Sequence, residues 1–298
     1  MDCASEPRGF HYEGNCIRPP SEAYSILLQA TLGCSHHKCT FCGTYQDKRF
    51  GLKDPAILEQ DLILAQKHCR RQSRAFIMDG DALIMPMRRW EWLLGEIKKR
   101  LPWVERVGTY ANSKGIALKS DEELSRLREL GLGIVYYGVE TGHGQTLKDI
   151  KKGATPEKLI AQGRRAMEAG MKLSVTVLLG VAGAERSLAH ARATGELLSA
   201  LNPHYVGALT LMLIPGTPLG EAAAQGEFKL PTTADMLLEL REMIARTELT
   251  DGLFFANHAS NYLPIRARLP QDKAAALALI DRALKGRVRL KPEWLRAL

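Results

Sequence analysis

The stretch ILLQATLGCSHHKCTFCGTY, residues 26–45, decides how the rest of the chain is interpreted. It opens with an apolar run, Ile26–Thr31, whose composition is typical of a buried β-strand. The run continues directly into a loop that carries Cys34, Cys39 and Cys42. The stretch therefore predicts a strand whose carboxyl end leads into a thiol-rich loop, and strand ends of this kind carry the functional loops of parallel α/β folds.

Five similar apolar runs follow along the chain, and amphipathic helical patterns separate them. The further predicted strands are Ala75–Met78, Val104–Tyr110, Gly133–Val139, Lys172–Leu179 and Tyr205–Leu213. The predicted helices are Pro55–Arg70, Arg88–Arg100, Ser120–Leu130, Pro156–Ala169, Ser187–Leu201 and Thr233–Thr247. Such alternation indicates parallel βαβ units. We therefore predict an α/β fold, a partial TIM-type (β/α)6 barrel, although the periodicity also allows a doubly wound open sheet.

The pattern divides the chain into three parts. Residues 1–24 are predicted to form an N-terminal segment, residues 25–218 the partial barrel, and residues 219–298 a C-terminal extension that closes the barrel. The strand–helix alternation loosens after Pro215–Pro218. Within the extension, Phe254–Pro264 is predicted to be a loop and Gln271–Leu284 a last helix.

Composition and charge narrow the class of protein. The 298 residues are 45% hydrophobic and 25% charged, which is typical of a globular protein. The first residues lack the apolar core of a signal peptide, and the longest uncharged apolar stretch, Leu173–Ala184, is too short to span a bilayer. We therefore predict a cytoplasmic protein, in which clustered thiols indicate a metal site rather than disulfides.

The net charge of +8 is unevenly distributed. Between Arg282 and the C-terminus, six basic side chains face one acid, Glu293, so this segment carries +5 of the total. Such a segment can contact nucleic acid or an acidic substrate, and a solvated surface is an equally good interpretation.

The spacing Cys34-x4-Cys39-x2-Cys42 is compatible with three kinds of site. Zinc would take a fourth ligand such as His36 or His37, which the short loop would crowd. A two-iron ferredoxin cluster would take a distant fourth cysteine, for which Cys69 is available in a predicted helix. A four-iron cluster held by three thiolates needs no further protein ligand.

Three further strand ends carry acids and glycines, in the segments MDGD (78–81), YGVETG (137–142) and LLGVAGAE (178–185). With the cysteine loop, they resemble the motifs of the radical S-adenosylmethionine (radical SAM) superfamily, in its coproporphyrinogen-oxidase-like and elongator-like branches. The resemblance extends from about Ile26 to Thr217. The Cx4Cx2C spacing departs from the usual pattern of that superfamily by one extra residue between the first two cysteines.

The resemblance implies two cofactors, a 4Fe-4S cluster bound by the three cysteines and S-adenosylmethionine bound at the remaining iron. It implies that the 78–81 turn meets the ammonium group, that Glu140 meets the ribose or the methionine moiety, and that Asn112 meets the ribose. Phe41 and Gly180 would border the adenine. Lys151 or Lys152 would meet the carboxylate, unless both are ordinary solvated lysines. The cofactor-binding set is thus Phe41, Asp79, Gly80, Asp81, Asn112, Glu140 and Gly180.

The resemblance also implies an activity, that of an oxidoreductase or transferase. A low-potential donor, flavodoxin or ferredoxin, would drive reductive cleavage of S-adenosylmethionine to a 5′-deoxyadenosyl radical. The radical would take hydrogen from a substrate, for which a tetrapyrrole-like molecule or an RNA nucleoside suits the basic chain. The alternative is a non-enzymatic, zinc- or iron–sulfur-bearing protein that binds RNA or transfers electrons.

A polar C-terminal loop is the predicted substrate contact. Its hydrogen-bonding side chains are Asn257, His258, Asn261 and Tyr262. Loops with this composition commonly line binding sites, and a packed surface loop with local turns is the alternative.

Overall fold

A computed structural model describes residues 9–297 of the chain. Residues 1–8, which include Cys3 and the start of the predicted N-terminal segment, lie outside the described part, as does residue 298. The fold divides into two compact units. The first takes residues up to His37 together with Thr44–Tyr136 and Arg165–Met171, and the second takes Lys38–Gly43, Tyr137–Arg164 and Lys172–Leu298.

The first unit holds parallel strands with helices between them. In chain order its elements are β1 (Ile26–Gln29), β2 (Thr31–Leu32), β3 (Gly51–Leu52), α1 (Pro55–His68), β4 (Arg74–Met78), α2 (Met87–Arg100), β5 (Arg106–Ala111), α3 (Ser113–Ala117), α4 (Asp121–Glu129) and the first part of β6 (Leu132–Glu140). The strand order is β1–β4–β5–β6, while β2 and β3 form a small antiparallel ribbon. The carboxyl ends of β1, β4 and β5 therefore meet at one edge of this unit.

The second unit continues the same pattern. Its elements are the rest of β6, then α5 (Gly144–Asp149), α6 (Pro156–Glu168), β7 (Lys172–Leu179), α7 (Ser187–Leu201), β8 (Tyr205–Thr210), α8 (Pro218–Ala224), α9 (Thr233–Arg246), β9 (Gly252–Phe255), β10 (Arg266–Leu269) and α10 (Lys273–Leu284). The last turn of α6 is grouped with the first unit. The strand order is β6–β7–β8–β9–β10, with β8 parallel to both neighbours and β10 antiparallel to β9.

Local sequence signals explain where several helices begin. The Asp54 side chain accepts a hydrogen bond from the amide of Ala56 ahead of α1, and Pro55 occupies the first helical position. Ser120 and Glu123 form the predicted capping box at the start of α4. These signals act over a few residues, so the sequence alone reveals them.

The predicted fold class is confirmed, since all six predicted strands and six predicted helices are present in a mostly parallel α/β arrangement. One prediction is wrong. Phe254 and Phe255 belong to β9 rather than to a loop, because pairing with β8 and β10 makes a strand of a four-residue segment too short to show periodicity. The predicted boundaries of the three parts stay a prediction.

Among residues 9–297, no helix has the length and apolar character needed to cross a membrane.

Candidate active site

In the first unit, two buried carboxylates hold both neighbours of Cys34. The amide of Gly33 donates to Asp79 Oδ2 at 3.1 Å, and the Ser35 hydroxyl donates to Asp81 Oδ2 at 2.5 Å. Both acids follow β4 and are fully buried. The turn after β4 therefore fixes the backbone on either side of the first cysteine.

Asp79 is the more heavily engaged of the two. Its Oδ2 also accepts from Gln29 Nε2 and from Lys48 Nζ, both at 3.0 Å, and its amide donates to the Thr31 hydroxyl at 2.9 Å. The Lys48 side chain is only 6% exposed, so this is a buried ion pair. The other carboxylate oxygen, Oδ1, has no hydrogen-bond partner in the described chain. One acceptor thus remains for a ligand.

Asp81 lies in a different electrostatic environment. Its Oδ1 accepts from the amide of Asn112 at 3.1 Å. Burial raises the pKa of the Asp81 carboxyl to about 7, and the hydrogen bonds from Ser35 and Asn112 offset only part of that rise. The side chain of Asn112 caps α3, since its Oδ1 accepts from the amide of Gly115 at 2.8 Å. These side chains are partly committed to the fold, which the sequence motifs alone do not show.

Gly80, between the two acids, is required by close packing. A β-carbon at this position would lie 2.5 Å from the Tyr45 ring and 3.2 Å from Cβ of Cys34. Its amide donates to the carbonyl of Gly33 at 3.2 Å. Gly80 thus allows the turn to approach the cysteine loop closely.

The part of the loop that carries Cys39 and Cys42 belongs to the second unit. The amide of Thr40 donates to the carbonyl of Ile150 at 3.0 Å, and the amide of Leu219 donates to the carbonyl of Thr40 at 2.9 Å. Phe41 packs against an apolar cluster composed of Ile150, Leu178 and Val181. The backbone around these two cysteines is therefore fixed as well.

None of the three loop cysteines forms a disulfide, and each is half-buried. Thiolates are the preferred ligands of iron–sulfur clusters, so this donor set fits a cluster with three protein ligands. Cys69 differs, because it caps the C-terminus of α1 and burial raises the pKa of its thiol. Within residues 9–297, no three His, Cys, Asp or Glu side chains are grouped around the position of a single metal ion.

Glu140 ends β6 with a left-handed backbone, φ 66°, which is uncommon for a residue with a side chain. Its Oε1 lies 2.7 Å from Lys152 Nζ, and both side chains are about nine-tenths buried. Of the two lysines proposed to meet a carboxylate, Lys152 is thus already paired with an acid. Together Glu140 and Lys152 offer one negative and one positive group side by side.

A buried polar network lies behind the ends of β6 and β7. Thr141 follows Glu140, and its hydroxyl contacts His190 Nδ1 at 2.6 Å. The other ring nitrogen of His190 lies 3.3 Å from Glu239 Oε1, outside hydrogen-bond geometry. Glu239 accepts from the Ser187 hydroxyl and from the amide of Gly180, the latter at 2.6 Å. The network therefore links the two strand ends through α7 and α9.

Gly180 itself has φ 82°, which favours glycine. A β-carbon there would lie 2.4 Å from the terminal methyl of Met236. Packing against α9 and the left-handed backbone thus account for this glycine within the protein, whereas its predicted role beside adenine stays a prediction.

The predicted substrate loop contains two kinds of side chain. Asn261 and Tyr262 are buried. The Asn261 side-chain amide donates to the Ala208 carbonyl at 2.9 Å, and the Tyr262 hydroxyl donates to Glu293 Oε2 at 2.6 Å. Asn257 is exposed, and His258 contacts the Ser260 hydroxyl at 2.9 Å. Burial lowers the pKa of His258, with a smaller contribution from Lys291. Asn257 and His258 are therefore the residues of this loop that a substrate could reach.

Sequence reasoning missed the partners that hold the site together. Lys48 and Ser35 carry no motif signal, although both lie close to the cysteines in sequence. Glu239 had a weak signal, since it is a lone acid within the apolar helix segment MLLEL of α9. His190 had none beyond its position in a predicted helix.

Comparison with known proteins gives the family. The family model of the Radical SAM superfamily matches residues 28–187, more than half of the chain. No curated protein sequence matches. The matching region contains the cysteine loop and the strand ends described above.

Solved structures resemble the fold at low sequence identity. The radical S-adenosylmethionine methyltransferase TsrM from Kitasatospora setae, solved with cobalamin and a [4Fe-4S] cluster, has a TM-score of 0.56 and 19% identity, covering 89% of this chain and 54% of that chain. Coproporphyrinogen III oxidase (HemN) from Escherichia coli has a TM-score of 0.54 and 17% identity over 74% of this chain and 51% of that chain. Elp3 from the archaeal Methanocaldococcus infernus has a TM-score of 0.50 and 15% identity over 77% of this chain and 58% of that chain.

The chain therefore belongs to the Radical SAM superfamily, and the predicted resemblance is confirmed. The enzyme class and the two cofactors predicted from the cysteine loop and strand-end motifs, a 4Fe-4S cluster and S-adenosylmethionine, are those of this superfamily. The chain spans between 51% and 58% of the length of the three structures compared.

Proposed function

We propose that Cys34, Cys39 and Cys42 bind the cluster and that the chain reductively cleaves S-adenosylmethionine to start hydrogen abstraction from a substrate. One observation carries this proposal. Buried carboxylates hold both neighbours of Cys34, backbone hydrogen bonds hold Thr40 between the other two cysteines, and none of the three cysteines forms a disulfide. Thiol ligands whose neighbouring backbone is held by hydrogen bonds are suited to bind a cofactor.

The residues of the chain have separate tasks in this proposal. When bound, the cluster supplies the electron that cleaves S-adenosylmethionine to methionine and a 5′-deoxyadenosyl radical. Asp79 and Asp81 hold the loop around Cys34, and the free Oδ1 of Asp79 offers an acceptor to the ammonium group. Glu140 binds the ribose or methionine moiety, while Lys152 orients Glu140 through their ion pair. Phe41, Asn112 and Gly180 complete the cosubstrate site.

The finer points of the function are also proposals. The electron comes from a low-potential flavodoxin or ferredoxin, as the chemistry of the superfamily demands a strong reductant. The protein acts in the cytoplasm. The substrate is an acidic or RNA-like molecule, for which the basic chain is suited, and it meets Asn257 and His258.

The proposed function predicts slow cleavage of S-adenosylmethionine even without substrate. Anaerobically reconstituted protein, reduced with dithionite or flavodoxin, is expected to produce 5′-deoxyadenosine, measured by chromatography. Turnover should be poor, because the radical has no good hydrogen donor. The control is Cys39→Ala. If intact-cluster protein binds S-adenosylmethionine but yields no more product than this control with several reductants, an iron–sulfur-bearing RNA-binding or electron-transfer role replaces the enzymatic one.

Glu140→Ala is expected to weaken S-adenosylmethionine binding by about 10- to 150-fold, since a charge-assisted hydrogen bond contributes roughly 1.5–3 kcal/mol. Iron content should not change, because the hydrogen bonds that fix the cysteine loop do not involve Glu140. Anaerobic equilibrium dialysis gives the affinity. Glu157→Ala, which removes an exposed glutamate from α6, is the matched control. Equal affinities in the two variants would exclude Glu140 from the cosubstrate site.

A further inference from the structure

The C-terminal turn Glu293–Leu295 is fixed by a buried arginine that follows it. Arg296 donates to the carbonyl of Ser260 at 2.6 Å and to the carbonyl of Leu211 at 3.0 Å. It also pairs with Glu293 and lies 4.3 Å above the ring of Tyr262. A buried arginine with this many partners holds the turn in one conformation.

Besides Glu293, this turn presents two large apolar side chains to solvent. Trp294 is 80% exposed and Leu295 is 51% exposed. Tryptophan is usually buried to a large extent, so a fixed and exposed one indicates a contact surface. Since the turn is held in place before any partner arrives, a ligand that stacks on Trp294 loses little free energy in ordering it.

The exposed charge near this turn in sequence is positive. Four basic side chains precede the turn, all exposed and none within 4 Å of an acidic group in the described chain: Arg282, Lys285, Arg287 and Arg289. The one acid of the segment, Glu293, is paired with Arg296. The segment therefore combines an aromatic platform with a series of unpaired cations.

The turn is hydrogen-bonded to the edge of the second unit at which the parallel strands β7 and β8 end. Leu211, whose carbonyl binds Arg296, directly follows β8. Strands β7 and β8 are parallel, so the end of β8 lies at the same edge as Gly180, which follows β7. The turn that carries Trp294 is therefore anchored at the edge that also carries Gly180, a predicted cosubstrate residue of this unit.

We propose that residues 282–297 form a docking surface for single-stranded RNA, with a base stacked on Trp294 and the phosphates held by the four basic side chains. Stacking platforms within a positive surface are the usual way to bind single strands without reading their sequence. Cations spread along eight residues match a chain of phosphates better than the clustered carboxylates of one small molecule. The proposal names the substrate class of the proposed function and therefore rests on it.

The test uses the whole chain and a fluorescein-labelled, mixed-sequence RNA of about 20 nucleotides, longer than the 4–16 nucleotides that one single-strand-binding fold covers. Anisotropy should show binding that weakens with salt, with a slope near −3 on logarithmic axes for four phosphate contacts. Trp294→Ala should weaken binding by about 5- to 150-fold, as expected for the loss of one stacked base at 1–3 kcal/mol, and Trp294→Phe should restore most of it. Arg287→Ser with Arg289→Ser should reduce the slope by about half.

The matched control is Arg71→Ser with Arg88→Ser, which removes two exposed charges from the first unit. If Trp294→Ala and the double variant Arg287→Ser with Arg289→Ser both bind RNA as the control does, the proposal is wrong. Equally tight binding of labelled polyglutamate, independent of Trp294, would overturn it in favour of an acidic protein partner. The assay needs neither reductant nor S-adenosylmethionine. If the unaltered chain forms 5′-deoxyadenosine but residues 282–297 do not bind RNA, the proposed substrate class is wrong and the proposed radical activity stands.

Discussion

Replacing Cys34, Cys39 or Cys42 by alanine, one at a time, is expected to abolish binding of the iron–sulfur cluster, whereas Cys69→Ala is expected to retain it. Each loop cysteine is half-buried, forms no disulfide and lies in a segment whose backbone is held by hydrogen bonds. Removing one leaves two thiolates, too few to hold a cluster that already has one iron without a protein ligand. Iron and sulfide per chain after anaerobic reconstitution, with the visible absorbance, give the result.

Cys69 provides the comparison for this experiment because the ferredoxin interpretation would use it as a fourth ligand. In the structure it caps the C-terminus of α1, and its carbonyl accepts from Trp103 Nε1 at 3.0 Å. Burial raises the pKa of its thiol, which disfavours the thiolate that a metal needs. Loss of iron and colour in Cys69→Ala would support the two-iron interpretation over the three-thiolate one. Stoichiometric zinc in the unaltered protein would support the zinc interpretation.

Much of the fold follows from the sequence because its signals are local. Strands β4, β6 and β7 are apolar runs bounded by turn residues, and α1 and α4 begin at recognisable caps. The cysteine spacing and the strand-end motifs are equally local, and they were sufficient to identify the superfamily. Each of these features can be found within about ten residues of sequence.

The contacts that support the site are not local. Gly33 and Asp79 are 46 positions apart, as are Ser35 and Asp81, and Gly180 and Glu239 are separated by 59. An acid at a strand end is compatible with binding a ligand, holding a loop or facing solvent, and the sequence alone does not distinguish these roles. The sequence motifs place Asp81 in the predicted cosubstrate site, and its contacts with Ser35 and Asn112 also make it part of the structure.

Asp79→Asn is expected to destabilise the protein and to weaken cluster binding together. Asp79 is fully buried, and its carboxylate balances the charge of Lys48, whose side chain is 6% exposed. Asparagine preserves the size of the side chain but leaves the Lys48 ammonium without a counter-charge, and breaking a buried pair in this way costs about 3–5 kcal/mol.

The same substitution also affects the cysteine loop, because Gly33 donates its amide to the carboxylate beside Cys34. Loss of a group that orients a metal ligand lowers metal affinity by roughly 10- to 100-fold. Urea unfolding of the metal-free chain measures the first effect, and iron retention against increasing chelator measures the second. Asp47→Asn is the control, since it removes an exposed carboxylate from the residue before Lys48 with the same change of charge. Equal unfolding midpoints and equal iron retention in the two variants would show that Asp79 does not hold the loop. Loss of stability without loss of iron would mean that Ser35, held by Asp81, is sufficient to position Cys34.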